Sequence, residues 1–291
     1  MTNAYVLHEV LPTLHEPVLA VALSGWIDAT GAAAVAMNCL LVECNARTVA
    51  TFDGDMFVDY RARRPVMELR DGVNTRLGWN DIELKVGRDP DGRDVVMLCG
   101  PEPDSQWRRF SDVMSSLAVE LGVSKMVALG AYPFATPHTR PPRLSCSSPS
   151  VAVLAPLPYL KNSVDVPAGM GAVLEHSLHA KDVPSLGLWV QVPHYVSSMT
   201  YPAASVALLS GLQEVSGIAV QATDLRRDSI VQRERLDQLV AANDEHTGML
   251  RQLEELYDSS AHQDTPISPF NLPSGDELAA ELERYLREQG D

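Results

Sequence analysis

The chain predicts an α/β fold, a mostly parallel sheet with helices on both faces, and three observations carry that expectation. Three short apolar runs each lead through glycine into a polar loop. Pro17–Leu23 runs into Ser24-Gly25-Trp26-Ile27-Asp28, Val95–Leu98 into Cys99-Gly100-Pro101-Glu102-Pro103-Asp104, and Met126–Leu129 into Gly130-Ala131-Tyr132-Pro133. Such Val- and Leu-rich runs suit strands buried on both faces. Segments of helical periodicity alternate with them, as crossovers between parallel strands require. After about residue 223 the chain changes to charged helical sequence, a C-terminal helical extension. Loops leaving the strand C-termini line the ligand crevice in such sheets, so a site is expected at residues 24–31, 100–107 and 130–143.

In order along the chain, the strand at 17–23 turns through Gly25 to Gly31 into a helix over Ala29–Cys44, with Asp28 or Thr30 as its N-cap. The run Ala32–Met37 is apolar nearly all round, which predicts a deeply buried helix or one at a subunit interface. Thr48–Phe52 is a strand, and residues 65–70 and 82–87 are shorter ones. They could form a hairpin, since Asp71-Gly72 and Asp91-Gly92 are turn dipeptides. Residues 95–98 are a buried strand. Gln106–Leu121 places Trp107, Phe110, Met114, Leu117 and Leu121 at helical spacing. Residues 124–129 form the third glycine-ended strand, and 131–150, rich in Pro, Ser and Thr, a long loop. A helix over 169–180, a strand over Leu186–Val192 and a helix over Ala203–Val215 complete a domain spanning 1–222.

The extension, 223–291, predicts charged helix over 224–258. Its seam is too polar for a coiled coil, so a helical hairpin broken near Asn243–Gly248 is an equal reading. A proline-bearing linker over 259–273 precedes a capping box, Ser274-Gly-Asp-Glu277. The apolar stripe Leu278, Leu282, Tyr285, Leu286 follows it.

Composition narrows the function classes. With 45% hydrophobic and 21% charged residues the chain can build a sizeable core, and no run approaches the ~20 apolar residues a membrane span needs. Its start lacks the basic-then-apolar order of a secretory signal, so a cytoplasmic protein is expected. The net charge is −15, of which residues 224–291 carry −9 (16 acidic against 7 basic). An acidic chain without a basic stripe argues against nucleic acid and anionic membrane. Four cysteines (Cys39, Cys44, Cys99, Cys146) show no CxxC or zinc-like pairing and read as small buried hydrophobes.

Each candidate site has two readings. Gly25-Trp26-Ile27-Asp28-Ala29-Thr30-Gly31 could present helix amides to an anion, but Asp28 would repel a phosphate, and an N-cap beside a packed Trp26 explains it as well. Asp53, Asp55 and Asp59 could bind a cation, but Arg61, Arg63 and Arg64 compete for them; the favoured reading is an ion-pair network, internal or between subunits, with no metal. Glu102 and Asp104 could form an acid/base pair, or Asp104 could cap the following helix. His138 and Arg140, in the proline-stiffened Pro137–Pro142, join a titratable group to an anion binder, or clamp a loop. His176 and His179 lack a third ligand. Neither GxSxG nor a serine triad is present. No catalytic residue, metal or cofactor is assigned.

Taken in order, several patches resemble one family. They are Gly25-Trp-Ile-Asp28-Ala with its alanine-rich helix, Phe52-Asp-Gly-Asp55 through Tyr60-Arg-Ala-Arg63-Arg-Pro65, Gly100-Pro-Glu102-Pro-Asp104 with Trp107 and Phe110, and Gly130-Ala-Tyr-Pro133 before Pro137-His-Thr-Arg140-Pro141. Together they are similar to the proteasome-assembly-chaperone-two family. Pro273-Ser-Gly-Asp276-Glu277-Leu-Ala resembles the tail of its actinobacterial branch, whose members are largely of unassigned function. The resemblance implies a three-layer fold related to the purine nucleoside phosphorylases and a homo-oligomer, a trimer as first guess. Some relatives dock on proteasome α subunits through a C-terminal hydrophobic-Tyr-x signature. Arg287-Glu-Gln-Gly290-Asp291 lacks it, so docking by that route is not expected.

The expected function is therefore a non-catalytic homo-oligomeric binding or assembly protein, its partner another copy and possibly another protein. The alternative is an enzyme or sensor for a small anionic or nucleoside-like ligand, with Asp28, Glu102, Asp104, His138 and Arg140 converging at the strand ends.

Overall fold

The computed structural model describes residues 3–260. The strands are β1 (Tyr5–Leu7), β2 (Val18–Ser24), β3 (Arg47–Phe52), β4 (Val66–Arg70), β5 (Val73–Gly78), β6 (Glu83–Arg88), β7 (Asp94–Pro101), β8 (Lys125–Phe134), β9 (Leu144–Ser147) and β10 (Ser185–Pro193). The helices are α1 (Ala32–Glu43), α2 (Gly54–Phe57), α3 (Trp107–Glu120), α4 (Val151–Leu154), α5 (Met170–His179), α6 (Pro202–Ser216), α7 (Thr223–Ala241) and α8 (Asp244–Ser260).

Eight strands form one sheet in the order β1-β3-β6-β7-β2-β8-β10-β9. Its centre, β7-β2-β8-β10, is parallel, and antiparallel strands extend it on both sides. Alternation along β2 shows how the layers arise. Val18, Ala20 and Ala22 face a core shared with α1 and α6, whereas Leu19 and Val21 face one shared with α3 and α5. Because both faces are covered, the central strands carry almost no polar side chains. The fold is thus α/β with three layers, helices lying on each side of the sheet.

Ala32, Ala33, Ala36, Met37 and Leu40 of α1 are buried, but Val42 is 80% exposed, so this apolar helix turns one side to the core and another outward. Helix α7 packs on α6 and α8 on α7. The start of α7 is fixed from α1: the Gln221 and Ala222 amides donate to the Glu43 carboxylate at 2.8 and 2.7 Å.

Two expectations change. The turn dipeptides are where the sequence places them, but segments 65–70 and 82–87 do not pair. Strand β4 turns at Asp71-Gly72 into β5, and β6 turns near Asp91-Gly92 into β7. The polar strand β5 (VNTRLG) has no alternating apolar signal, so it was invisible as the true partner. Residues 131–150 are not wholly loop either: β8 continues to Phe134 and β9 pairs with β10. The break between α7 and α8 falls at 242–243. The linker expected over 259–273 and the helix expected after the capping box at Ser274 lie, beyond Ser260, outside the described residues.

Candidate functional site

The C-terminal ends of β2, β7 and β8 open into a cleft of about 590 Å³. Its lining includes Asp28, Met37, Arg63, Trp79, Asp81 and Cys99. Asp28 stands at its wall, but its carboxylate is taken: the Ala33 and Ala34 amides donate to it at 2.8 and 3.0 Å, closing the N-terminus of α1. Burial pushes the Asp28 carboxyl above its ordinary range, and those two amides oppose the rise. An anion arriving here would meet a carboxylate where the free amides would have been. Burial also pushes the Cys99 thiol up to about 11, so it is held as the weakly reactive thiol.

Gly25 has φ +126°, a backbone that favours glycine, and the Arg63 guanidinium occupies the space a side chain there would fill. The Arg63 Nε donates to both carboxylate oxygens of Asp104 at 3.1 Å, and the Asp59 amide donates to the same carboxylate at 2.8 Å. Asp104 therefore ties segment 53–64 to the loop after β7. Asp53 caps α2 through the Met56 amide, and Asp59 accepts from the Arg61 amide. Among the described residues Asp53, Asp55, Asp59, Arg61 and Arg64 form no ion pair with one another. Backbone amides outcompete the arginines for Asp53 and Asp59 because they are fixed in place, while long exposed arginines lose rotamer freedom on pairing.

Glu102 lies on the other side of the sheet ends. It is buried and accepts from the Met170 amide at 2.8 Å, capping α5, while Trp26 packs beside Gly169. Glu102 and Asp104 thus serve different elements and form no acid/base pair.

His138 and Arg140 depart furthest from the expected convergence: neither lines the cleft. The His138 side chain is fully buried. Its Nδ1 lies 2.7 Å from the Tyr195 hydroxyl, which also accepts from the His138 amide at 2.7 Å, and its Nε2 lies 3.1 Å from Asp237 Oδ1 on α7. With a neutral ring, a Tyr195 hydroxyl that donates to Nδ1 and an Nε2–H that donates to Asp237 satisfy all three contacts. Burial lowers the His138 pKa, with Asp237 opposing. Arg140 forms a two-pronged pair with Asp258, Nε–Oδ1 at 2.9 Å and Nη2–Oδ2 at 2.8 Å, and its Nη1 reaches Glu254 at 3.0 Å. The Thr139 hydroxyl also bonds Glu254, and Arg143 covers the Tyr257 ring at 3.7 Å. The loop is a clip that holds α7 and α8 against the body.

No group of three or more His, Cys, Asp or Glu placed to hold a metal occurs among the described residues, and His176 and His179 are both exposed. No helix there is long and apolar enough to cross a membrane.

A family model described as the PAC2 family matches residues 22–240. The chain belongs to the PAC2 family. A crystal structure of a protein of unknown function from Corynebacterium glutamicum is 31% identical, superposes with a TM-score of 0.84, and is matched over 90% of this chain and 99% of that one. The Mycobacterium tuberculosis proteasome-assembly chaperone homologue Rv2125 is also 31% identical, with a TM-score of 0.75 over 81% of this chain and 99% of that one. Pyrococcus furiosus PbaB, an archaeal proteasome activator, shares the fold at 15% identity, with a TM-score of 0.62 over 81% and 97% of the two chains. No curated protein matches. The PAC2 match runs from the end of β2 into α7, so it takes in β3 to β10, both helix layers and the His138–Asp237 contact, but not β1 or α8.

Two features of this PAC2 chain were not read from its sequence. Trp79, 49% exposed, stands at the cleft and packs against Tyr60 with ring centroids 4.8 Å apart; a lone Trp after a turn gave no periodic signal. Glu175 is buried on α5 with the Ser147 hydroxyl 3.3 Å away, and burial pushes its pKa up to about 7. Its helical position between apolar neighbours could have marked it.

Proposed function

We propose that this chain is a non-catalytic, homo-oligomeric binding and assembly protein of the cytoplasm, acting in the manner of proteasome-assembly chaperones. The observation that carries the reading is how the polar groups of the strand-end loops are spent. Asp28 and Glu102 cap helices, Asp104 holds Arg63, and His138 and Arg140 hold α7 and α8. Acid–base or nucleophilic catalysis needs a titratable group aimed at a reacting atom, and each of these is aimed at its own fold. The names of Rv2125 and PbaB add support of kind rather than of partner. Sedimentation at micromolar concentration tests the first half of the reading, and mixing with isolated proteasome α subunits tests the second. Assembly with itself and altered α-ring formation are expected. A monomer that leaves ring formation unchanged overturns it.

The cleft supports a second reading, a small nucleoside-like ligand held beside Trp79 and Arg63. A thermal-shift screen of nucleosides, phosphates and carboxylates checks it, because a tight ligand raises stability by several kcal/mol. No shift with any class removes that reading.

A further inference from the structure

Strand β9, four residues long, closes one edge of the eight-stranded sheet, and Ser147 opposite Gly187 is the last rung of its ladder with β10. The Glu175 carboxyl, carried on α5, lies against that rung. A Cβ at Gly187 would fall 2.7 Å from Glu175 Oε1, 2.7 Å from Ser147 Oγ and 2.9 Å from Trp189 Nε1. Three polar groups therefore converge on the one position of β10 that carries no side chain. Glu175 is only 5% exposed. Among the described residues its carboxyl has one hydrogen-bond partner, the Ser147 hydroxyl, 3.4 and 3.3 Å from its two oxygens. A carboxylate can accept about four hydrogen bonds, so a single long one leaves the charged form poorly served in a buried place.

The surroundings offer no counter-charge. The side chains that face the carboxyl from β9 and β10, Ser147 and Trp189, are uncharged. From the other elements packed on α5, α3 turns Ser111 and Ser115 to Ser177, β2 has no titratable side chain, and Lys125 of β8 is bonded to the Val215 carbonyl. His176 and His179 of its own helix are exposed. The causes acting on the carboxyl are burial and the Ser147 bond, with no charged group among them. Ser147 is itself exposed, so water reaches the carboxyl once the rung parts. A short ladder at a sheet edge opens at less cost than the central strands do. We infer that Glu175 is a pH-operated latch on the edge strand: neutral, it closes the last β9–β10 rung, and ionised, it draws water past Ser147 and loosens β9. Burial places its pKa at about 7, so the latch holds in acid and loosens as pH rises through neutrality. If opening returns the carboxyl to its ordinary 4.5, β9 opens about tenfold more often at pH 8.5 than at pH 6.

Amide exchange of the full chain at pH 6 and pH 8.5, each rate divided by its intrinsic value, tests it. Residues 144–147 are expected to lose about tenfold in protection at the higher pH while β2 and β7 keep theirs. Glu175→Gln, which cannot ionise, is expected to hold 144–147 at the pH 6 level in both. Tryptophan fluorescence gives a second measurement, with Trp189→Phe identifying the signal of Trp189 among the four tryptophans. Ser147→Ala removes the bond that favours the charged carboxyl, so the midpoint of that signal should move to higher pH. Equal protection of 144–147 at the two pH values overturns the latch, and so does the same loss in Glu175→Gln. A loss shared by β2 and β7 overturns it too, since the carboxyl would then act on the whole fold. A midpoint that Ser147→Ala leaves in place does the same.

Discussion

His138 Nε2 lies 3.1 Å from Oδ1 of Asp237, a contact that joins residues 99 positions apart and ties the loop after β8 to α7. The histidine is fully buried while its partner is about half exposed, so the bond is anchored on the body side. Removing the ring leaves the Tyr195 hydroxyl without an acceptor beneath the helix. His138→Ala is expected to cost about 1–3 kcal/mol, the usual result of orphaning a buried polar group. Urea unfolding measures the loss, and amide exchange should quicken across 223–260 more than in the central strands.

The same residue sets a pH dependence. Burial holds the folded His138 pKa below its unfolded value, so the unfolded chain takes up the proton first as pH falls. Its contribution is complete above the ordinary histidine value of about 6.5 and is lost progressively below it, down to the folded pKa. His138→Gln should flatten this part of a stability-versus-pH curve between pH 5 and 7. An unchanged slope would show that another group titrates there.

Glu175 works in the opposite sense. Its pKa is raised to about 7, so its contribution is complete below its unfolded value and is lost as pH rises through about 7. Glu175→Gln, which keeps an acceptor for Ser147, should stabilise the protein at pH 8 by about 1–3 kcal/mol and do nothing at pH 4. Thermal melts at the two pH values decide it.

Arg140 tests the clip without disturbing the core. Arg140→Ala removes the pairs to Glu254 and Asp258. Exchange protection is expected to fall in α8 while α1, α3 and α5 keep theirs. Equal loss throughout would mean that the clip supports the whole fold.

Gly25→Ala places a side chain where the Arg63 guanidinium lies, on a backbone with φ +126°. A loss of roughly 1–3 kcal/mol is expected from strain alone, with release of the Arg63–Asp104 bond. Arg63→Ala should lessen the penalty in a double-mutant cycle, since it empties the space.

How much of this was legible follows from where each signal lives. The central strands were plain because burial on both faces demands runs such as Val18–Leu23 and Val95–Leu98. The strands β5 and β9 were not: VNTRLG is nearly all exposed and LSCS is short and mostly polar, and their pairing is decided by neighbours in space. The strand-end loops were correctly located as polar, but their polar groups turned to different partners. Asp28 serves amides five and six positions on, whereas Glu102 meets the Met170 amide 68 positions downstream and His138 and Arg140 meet carboxylates 99 and 118 positions downstream. Local spacing carries no record of such pairings.

The clip also orders events as the chain folds. Asp237, Glu254 and Asp258 have nothing to grip until β8 has entered the sheet and set residues 137–143 at its end. Loop-closure entropy makes so distant a contact expensive to form early. Docking of α7 and α8 is therefore a late step, and a chain leaving the ribosome N-terminus first completes its sheet before the segment that locks onto it emerges.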